Sequence, residues 1–136
     1  MNKVTIIDNE FITLWYHPEE KIVHHQFHKR SIFSKFLREA LNKGTELLLE
    51  NSASKWLSDD RNHAVLALED TAWGYNEWFP KTKKAGWKYW ALVQPELLIG
   101  KLELERFTSE YAKQGVTVKC FSDVDEAFNW LKSIDE

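Results

Sequence analysis

The chain has 136 residues, and 18 Lys and Arg against 21 Asp and Glu give a formal net charge of -3. With 43 % hydrophobic and 29 % charged residues, the composition excludes a disordered chain and is typical of one domain over residues 1–136. The slight acidity argues against general nucleic-acid binding, because phosphate contacts need a basic surface. The single Cys excludes an internal disulfide, so we expect a reducing, cytoplasmic location.

The first predicted elements are two strands, 11–17 (FITLWYH) and 21–27 (KIVHHQF), on either side of a turn at Pro18. Both are rich in aromatic and β-branched residues, so they are expected to pair as an antiparallel hairpin. Side chains alternate along a strand, and one face of this hairpin is therefore predicted to join the core through Ile12, Leu14, Tyr16, Val23, His25 and Phe27.

Helices and strands alternate in the rest of the chain. Ser31 is predicted to cap a first helix, and Ser122 a last one. The elements between them are a strand over 54–58, a helix over 68–85 that Gly74 and Pro80 interrupt, a strand over 87–94, a helix within 96–113 and a strand over 116–121. This order predicts an α/β domain whose mixed sheet has an opening antiparallel hairpin, then parallel strands, with about four helices.

The strand over 87–94 (WKYWALVQ) has aromatic residues on both predicted faces, because alternation places Trp87 and Trp90 on opposite sides. It is therefore expected to lie inside the sheet with helices on both sides. No apolar run in the chain approaches the roughly 20 residues of a membrane-spanning helix, so no membrane span is expected.

The closing segment VTVKCFSDVDEAFNWL (116–131) resembles the end of STAS/SpoIIAA-like domains, where a last strand leads into a capped helix of the form F-S-x-x-x-E-A-x-x-W-L. The stretches KWLSDDRN (55–62) and AGWKYWALV (85–93) are similar to a branch of small bacterial proteins in that superfamily. The resemblance covers roughly residues 10–134. It implies the same α/β fold and a non-enzymatic regulatory or protein-interaction role.

The resemblance also implies a switch, because the superfamily's anti-anti-sigma factors are phosphorylated on a Ser within a D-S-S-G-L-like motif. The corresponding segment here runs from Leu57 to Asn62; it makes Ser58 the candidate phosphorylation site, although no Gly-Leu pair follows it. Other relatives are similar to SEC14-type domains, whose hydrophobic cavity binds lipid. A regulatory module with a protein partner and a carrier or sensor of a small apolar or amphipathic ligand therefore both remain open.

A polar cluster of Ser58, Asp59, Asp60 and Arg61 follows a predicted parallel strand, where open α/β sheets usually bind ligands. Two carboxylates beside an Arg suit a cation, an amine or a hydroxylated ligand. The alternative is a polar loop in which one Asp caps the next helix and Arg61 pairs with a neighbour. A further alternative is an enzyme with Asp59 or Asp60 as general base, which requires a raised pKa in a cleft.

Four of the seven tryptophans lie near this cluster in the predicted order of elements: Trp73, Trp78, Trp87 and Trp90. They are predicted to line a pocket for an apolar, flat or cationic ligand, or to anchor a protein partner. The alternative is that these rings only fill a small core.

The five histidines do not predict a metal site. His24 and His28 share a strand face but lie about 13 Å apart at about 3.3 Å per residue, whereas zinc needs ligand atoms at about 2 Å. His25 points to the other face, and His63 has no His or Cys near it in sequence. We expect strand-surface histidines, no metal and no cofactor. The exposed hairpin edge suits pairing with a second copy of the chain.

Overall fold

A computed structural model of the chain contains one six-stranded mixed sheet with its strands in sequence order. The structure describes residues 2–62, 64–95 and 98–135. The strands are β1 (Val4–Asp8), β2 (Ile12–His17), β3 (Ile22–Phe27), β4 (Lys55–Asp59), β5 (Tyr89–Val93) and β6 (Thr117–Phe121). β1, β2 and β3 pair antiparallel, and β3 to β6 pair parallel. The predicted α/β class and the order of antiparallel and parallel strands are confirmed.

Four helical segments pack against this sheet in the described part of the chain. The first is α1 (Ser34–Asn51). The second is one continuous run made of α2 (Leu68–Trp73), a π-helical turn (Gly74–Trp78) and α3 (Phe79–Lys84). The third and fourth are α4 (Leu98–Lys113) and α5 (Val124–Ser133). The first three segments connect successive parallel strands. Because right-handed crossovers that step in one direction stay on one face, these three lie together and α5 covers the opposite face. Residues 96 and 97, where the helix before β6 was predicted to begin, lie outside the described residues.

The hairpin of β2 and β3 has the predicted register. Ile12 lies opposite Phe27, Leu14 opposite His25 and Tyr16 opposite Val23, and all six side chains are buried. β1 was not predicted from the sequence. Its five residues are half-buried or exposed at the edge of the sheet, and such a short, weakly buried run gives little alternation signal.

Both predicted helix caps are wrong by one or two residues. Phe33, not Ser31, is the N-cap of α1, and the Ser34 hydroxyl donates to Asp70 on α2 at 2.6 Å. Asp123, not Ser122, caps α5, since its carboxylate accepts the Glu126 backbone N–H at 3.2 Å. Asp123 with Glu126 has the spacing of a capping box, which the sequence also contained.

β5 lies inside the sheet, as predicted, with Trp90 and Leu92 facing α1 and with Ala91 and Val93 facing α5. The predicted face of Trp87 is wrong, because Trp87 packs beside Trp90. The backbone N–H groups of residues 88 and 89 both donate to the Ser54 carbonyl, so regular alternation begins only at Tyr89. No helix within the described residues is both long enough and apolar enough to cross a bilayer.

Candidate functional site

A cavity of about 250 Å³ lies between the sheet and the helices of the α1 side. Its wall is mainly apolar and reaches the ends of β3 and β4. One side is the segment 64–66, where Val65 is 53 % exposed, so the cavity lies next to the surface. The residues that line it are His25, Phe27, Leu37, Leu41, Trp56, Ser58, Asp60, Ala64, Val65, Leu66, Thr71, Trp78, Trp87, Trp90 and Tyr111.

Tryptophan rings form a continuous wall of this cavity. The ring centroid of Trp87 lies 5.3 Å from that of Trp78 and 5.2 Å from that of Trp90, and the Trp56 ring meets Trp78 edge-on at 5.4 Å. The Trp78 indole donates to the Leu41 carbonyl at 3.0 Å, which ties its ring to α1. These rings belong to the main core cluster and line the cavity as well.

Trp73 is the one predicted pocket tryptophan that lies outside the cavity wall. It is half-buried on α2, and the guanidinium of Arg38 stands 4.9 Å from its ring centroid. Arg38 also donates to Asp70 at 3.1 Å, so this corner connects α1 to α2. The structure therefore brings Trp78, Trp87 and Trp90 together at the cavity and places Trp73 in a helix-to-helix contact.

The adjacent carboxylates of Asp59 and Asp60 do not act as a pair. Arg61 holds Asp59 through two side-chain hydrogen bonds, 2.9 and 2.6 Å long, and its backbone N–H also donates to Asp59 at 3.2 Å. This is the neighbour pairing that the sequence left as an alternative. Strand alternation turns Asp59 toward the α5 side, whereas Asp60 lines the cavity.

Asp60 is a buried carboxyl group at the cavity wall and is only 7 % exposed. Its backbone N–H donates to Val93 at 2.9 Å, but its Oδ1 atom has no hydrogen-bond partner within the described residues. Burial, with a smaller contribution from the charge of Asp59, raises its pKa from 3.8 to about 7. Of the two carboxylates considered as a general base, Asp60 is the one that lines the cavity.

Ser58 and His25 line the same cavity on neighbouring strands. Ser58 is 4 % exposed, and its Oγ accepts the Trp90 indole N–H at 2.7 Å. His25 lies directly opposite it on β3, where Nδ1 accepts the Trp56 indole N–H at 2.9 Å. Burial lowers the pKa of His25 to about 4, so the ring is neutral at pH 7.

The expectation of strand-surface histidines is wrong for His17 and His24, whereas His25 has the core position that the strand pattern predicted. His17, His24 and His25 are buried, because helices cover both faces of the hairpin. On the α5 side, His17 Nε2 lies 3.1 Å from His24 Nδ1, and burial lowers the pKa of His24 to about 3. No three His, Cys, Asp or Glu side chains of residues 2–62, 64–95 and 98–135 form a group suited to a metal ion. His63 lies outside the described residues.

Ten of the fifteen residues that line the cavity were not predicted as site residues, among them His25, Trp56 and Tyr111. A signal existed for His25, because a histidine predicted on the core face of a hairpin must find partners in the interior. Trp56 is its partner from 31 residues away, and only the register of β3 and β4 brings the two together. Tyr111 comes from α4, a helix whose orientation the sequence pattern does not fix.

Searches against models of protein families, curated proteins and solved structures each gave no match for this chain. The resemblance of residues 116–131 to STAS/SpoIIAA-like domains therefore stays a prediction, and the site is interpreted from its own geometry.

Proposed function

We propose that this protein binds a small, largely apolar molecule in the tryptophan-lined cavity and serves as its carrier or sensor. The observation that carries the proposal is a cavity of about 250 Å³ whose apolar wall contains two buried polar atoms without protein partners among the described residues, His25 Nε2 and Asp60 Oδ1. Buried polar groups are nearly always hydrogen-bonded in folded proteins, so a ligand that satisfies them would gain affinity.

The size of the cavity supports a ligand of one or two rings. An apolar cavity of about 150 Å³ in another protein is large enough to bind benzene. The indole rings at this wall favour edge-to-face contacts with an aromatic ligand. A cytoplasmic location and the absence of nucleic-acid partners remain part of the proposal and are supported by the composition alone.

Indole itself is a suitable first probe, tested through its effect on thermal unfolding. At a concentration ten times its Kd, we expect indole to raise the Tm by roughly 3–5 °C, because a ligand that binds only the folded state stabilises it. Thr71→Phe should abolish this shift, since it adds a ring at the cavity wall. Glu69→Phe places the same residue at an exposed position of α2 and should keep the shift. Equal shifts in both variants, or none in the wild type, would contradict binding in this cavity.

A second candidate is the regulatory or protein-interaction module of the STAS/SpoIIAA-like type. The observation that favours it is the exposure of two large apolar side chains, Val65 at 53 % and Leu68 at 89 %, beside the segment predicted to contact a partner. In this candidate function Ser58 is the modified residue. Because it is buried against Trp90, a kinase would reach it only after the end of β4 opened.

Native mass spectrometry of the chain purified from its own cells separates the two candidates. A non-covalent adduct that is lost on denaturation supports the carrier and gives the mass of its ligand. A phosphate that survives denaturation and maps to Ser58 supports the regulatory module. The same spectrum reports whether the chain forms the homodimer that an exposed edge strand would permit.

A further inference from the structure

The His25 side chain is a fixed hydrogen-bond donor toward the cavity. An indole N–H only donates, so the Trp56 contact at 2.9 Å makes Nδ1 of His25 the unprotonated nitrogen. The proton of the neutral ring is therefore on Nε2. That nitrogen is buried and has no protein partner within the described residues, on a side chain that lines the cavity. A ligand atom next to it must accept a hydrogen bond.

Asp60 provides the complementary group at the same side of the cavity. His25 lies opposite Ser58 in the register of β3 and β4, and Asp60 follows two residues after Ser58. Arg61, the adjacent cation, is already bonded to Asp59, so it does not neutralise Asp60. When Asp60 is ionised, its buried Oδ1 atom can only accept a hydrogen bond from whatever occupies the cavity.

The chemistry of these two groups selects among polar ends of a ligand. An ammonium group could donate to Asp60 but would leave the His25 N–H without an acceptor. A ketone could accept from His25 but would leave an ionised Asp60 carboxylate unpaired. A carboxylate would bring a second negative charge to Asp60. A hydroxyl both accepts and donates, so it is the simplest neutral group that suits both.

We propose that the cavity selects a neutral, hydroxylated aromatic molecule of the phenol type. This inference rests on the proposed function. The ring of the ligand packs against Trp78, Trp87 and Trp90, and its hydroxyl accepts from His25 Nε2 and donates to Asp60 Oδ1. Ser58, whose oxygen already accepts from Trp90, lies opposite His25 in the strand register and lines the same cavity.

The test is a calorimetric comparison of p-cresol with p-xylene, which differ by a hydroxyl in place of a methyl group, at about pH 8.5, where Asp60 is ionised. The wild-type protein is expected to bind p-cresol at least about tenfold more tightly, because p-xylene leaves two buried polar atoms unpaired. Asp60→Leu has nearly the same shape and no acceptor. It should bind p-xylene at least as well as the wild type and lose most of the preference for p-cresol.

The other possible outcomes of this binding experiment lead to different conclusions. If neither probe binds the wild-type protein, the proposed function is wrong and this inference falls with it. If both bind the wild type equally, the cavity binds ligands but the inferred hydroxyl selection is wrong. A preference for p-cresol that persists in Asp60→Leu would contradict the role of Asp60. His25→Gln, which keeps a donor in the cavity, should retain more of the preference than His25→Leu.

Discussion

Replacing Asp60 by Asn is expected to stabilise the ligand-free protein near and above neutral pH. The pKa of Asp60 is about 7 in the folded chain against 3.8 ordinarily, so only the unfolded chain ionises this group between these values. The free energy of unfolding of the wild-type protein therefore falls by about 1.4 kcal/mol per pH unit as the pH rises between these two pKa values. Above the higher pKa the loss stays constant. Asn carries no charge, so Asp60→Asn should gain roughly 2–4 kcal/mol at about pH 8 and little at about pH 4.

Urea unfolding of both proteins across this pH range measures the effect. The buried histidines act in the opposite direction, because the lowered pKa values of His24 and His25 make the folded chain lose stability in acid. Their contribution is present in both proteins and cancels in the difference.

Asp59→Asn is the matched control, since it changes the neighbouring carboxylate. This substitution should destabilise the protein by about 1–3 kcal/mol, because it weakens the contact of the buried Asp59 carboxylate with Arg61. The loss is moderate because the Arg61 guanidinium is half-exposed to water. A less stable Asp60→Asn at about pH 8 would mean that the charge of Asp60 stabilises the fold, which would contradict a carboxyl group whose ionisation is opposed by burial.

Gly44→Ala in α1 is expected to destabilise the protein by about 2 kcal/mol or more, although Ala favours an exposed helix by about 1 kcal/mol. A Cβ at this position would lie 2.8 and 2.9 Å from Cζ2 and Cζ3 of Trp56, and closer still to Cη2. The indole has little freedom to move, because it packs against Trp78 and Trp87 and donates to His25.

Gly74→Ala in the π-helical turn is the control for this substitution. The nearest atom to its Cβ would be the Tyr111 hydroxyl at 3.4 Å, an ordinary contact, so its stability should stay near that of the wild type. Thermal and urea unfolding of the two variants measure the contrast. If Gly44→Ala were as stable as Gly74→Ala, the Trp56 ring would have to be mobile, and the tryptophan wall of the cavity would not be rigid.

The sheet was predictable because its signals are local. Alternation over 11–17 and 21–27 places Leu14, Tyr16 and Val23 on the buried face, and the β2–β3 register confirms it. The edge strand β1 was not predictable, because an edge strand with little burial need not alternate. Trp87 was assigned to the wrong face because it lies just before β5, where the backbone is not yet regular.

The site was only partly predictable, because its chemistry depends on partners distant in sequence. Asp59 and Asp60 are adjacent residues of the same type. Their different environments follow from side-chain alternation at the end of β4, which places Asp59 against Arg61 and Asp60 at the cavity wall. The indole–imidazole contact of Trp56 and His25 needs two strands in register. Of the four tryptophans predicted to line a pocket, Trp78, Trp87 and Trp90 line the cavity and Trp73 does not.

The most direct test of the central claim is a proton–nitrogen NMR spectrum of the indole N–H signals, recorded as p-cresol is added. Four of the seven tryptophans, Trp56, Trp78, Trp87 and Trp90, line the cavity, whereas Trp15, Trp73 and Trp130 lie outside it. Binding in the cavity predicts that the first four signals shift together, with one saturation curve, while the other three stay in place. Unchanged signals at saturating p-cresol, or shifts confined to Trp15, Trp73 and Trp130, would contradict a ligand-binding cavity.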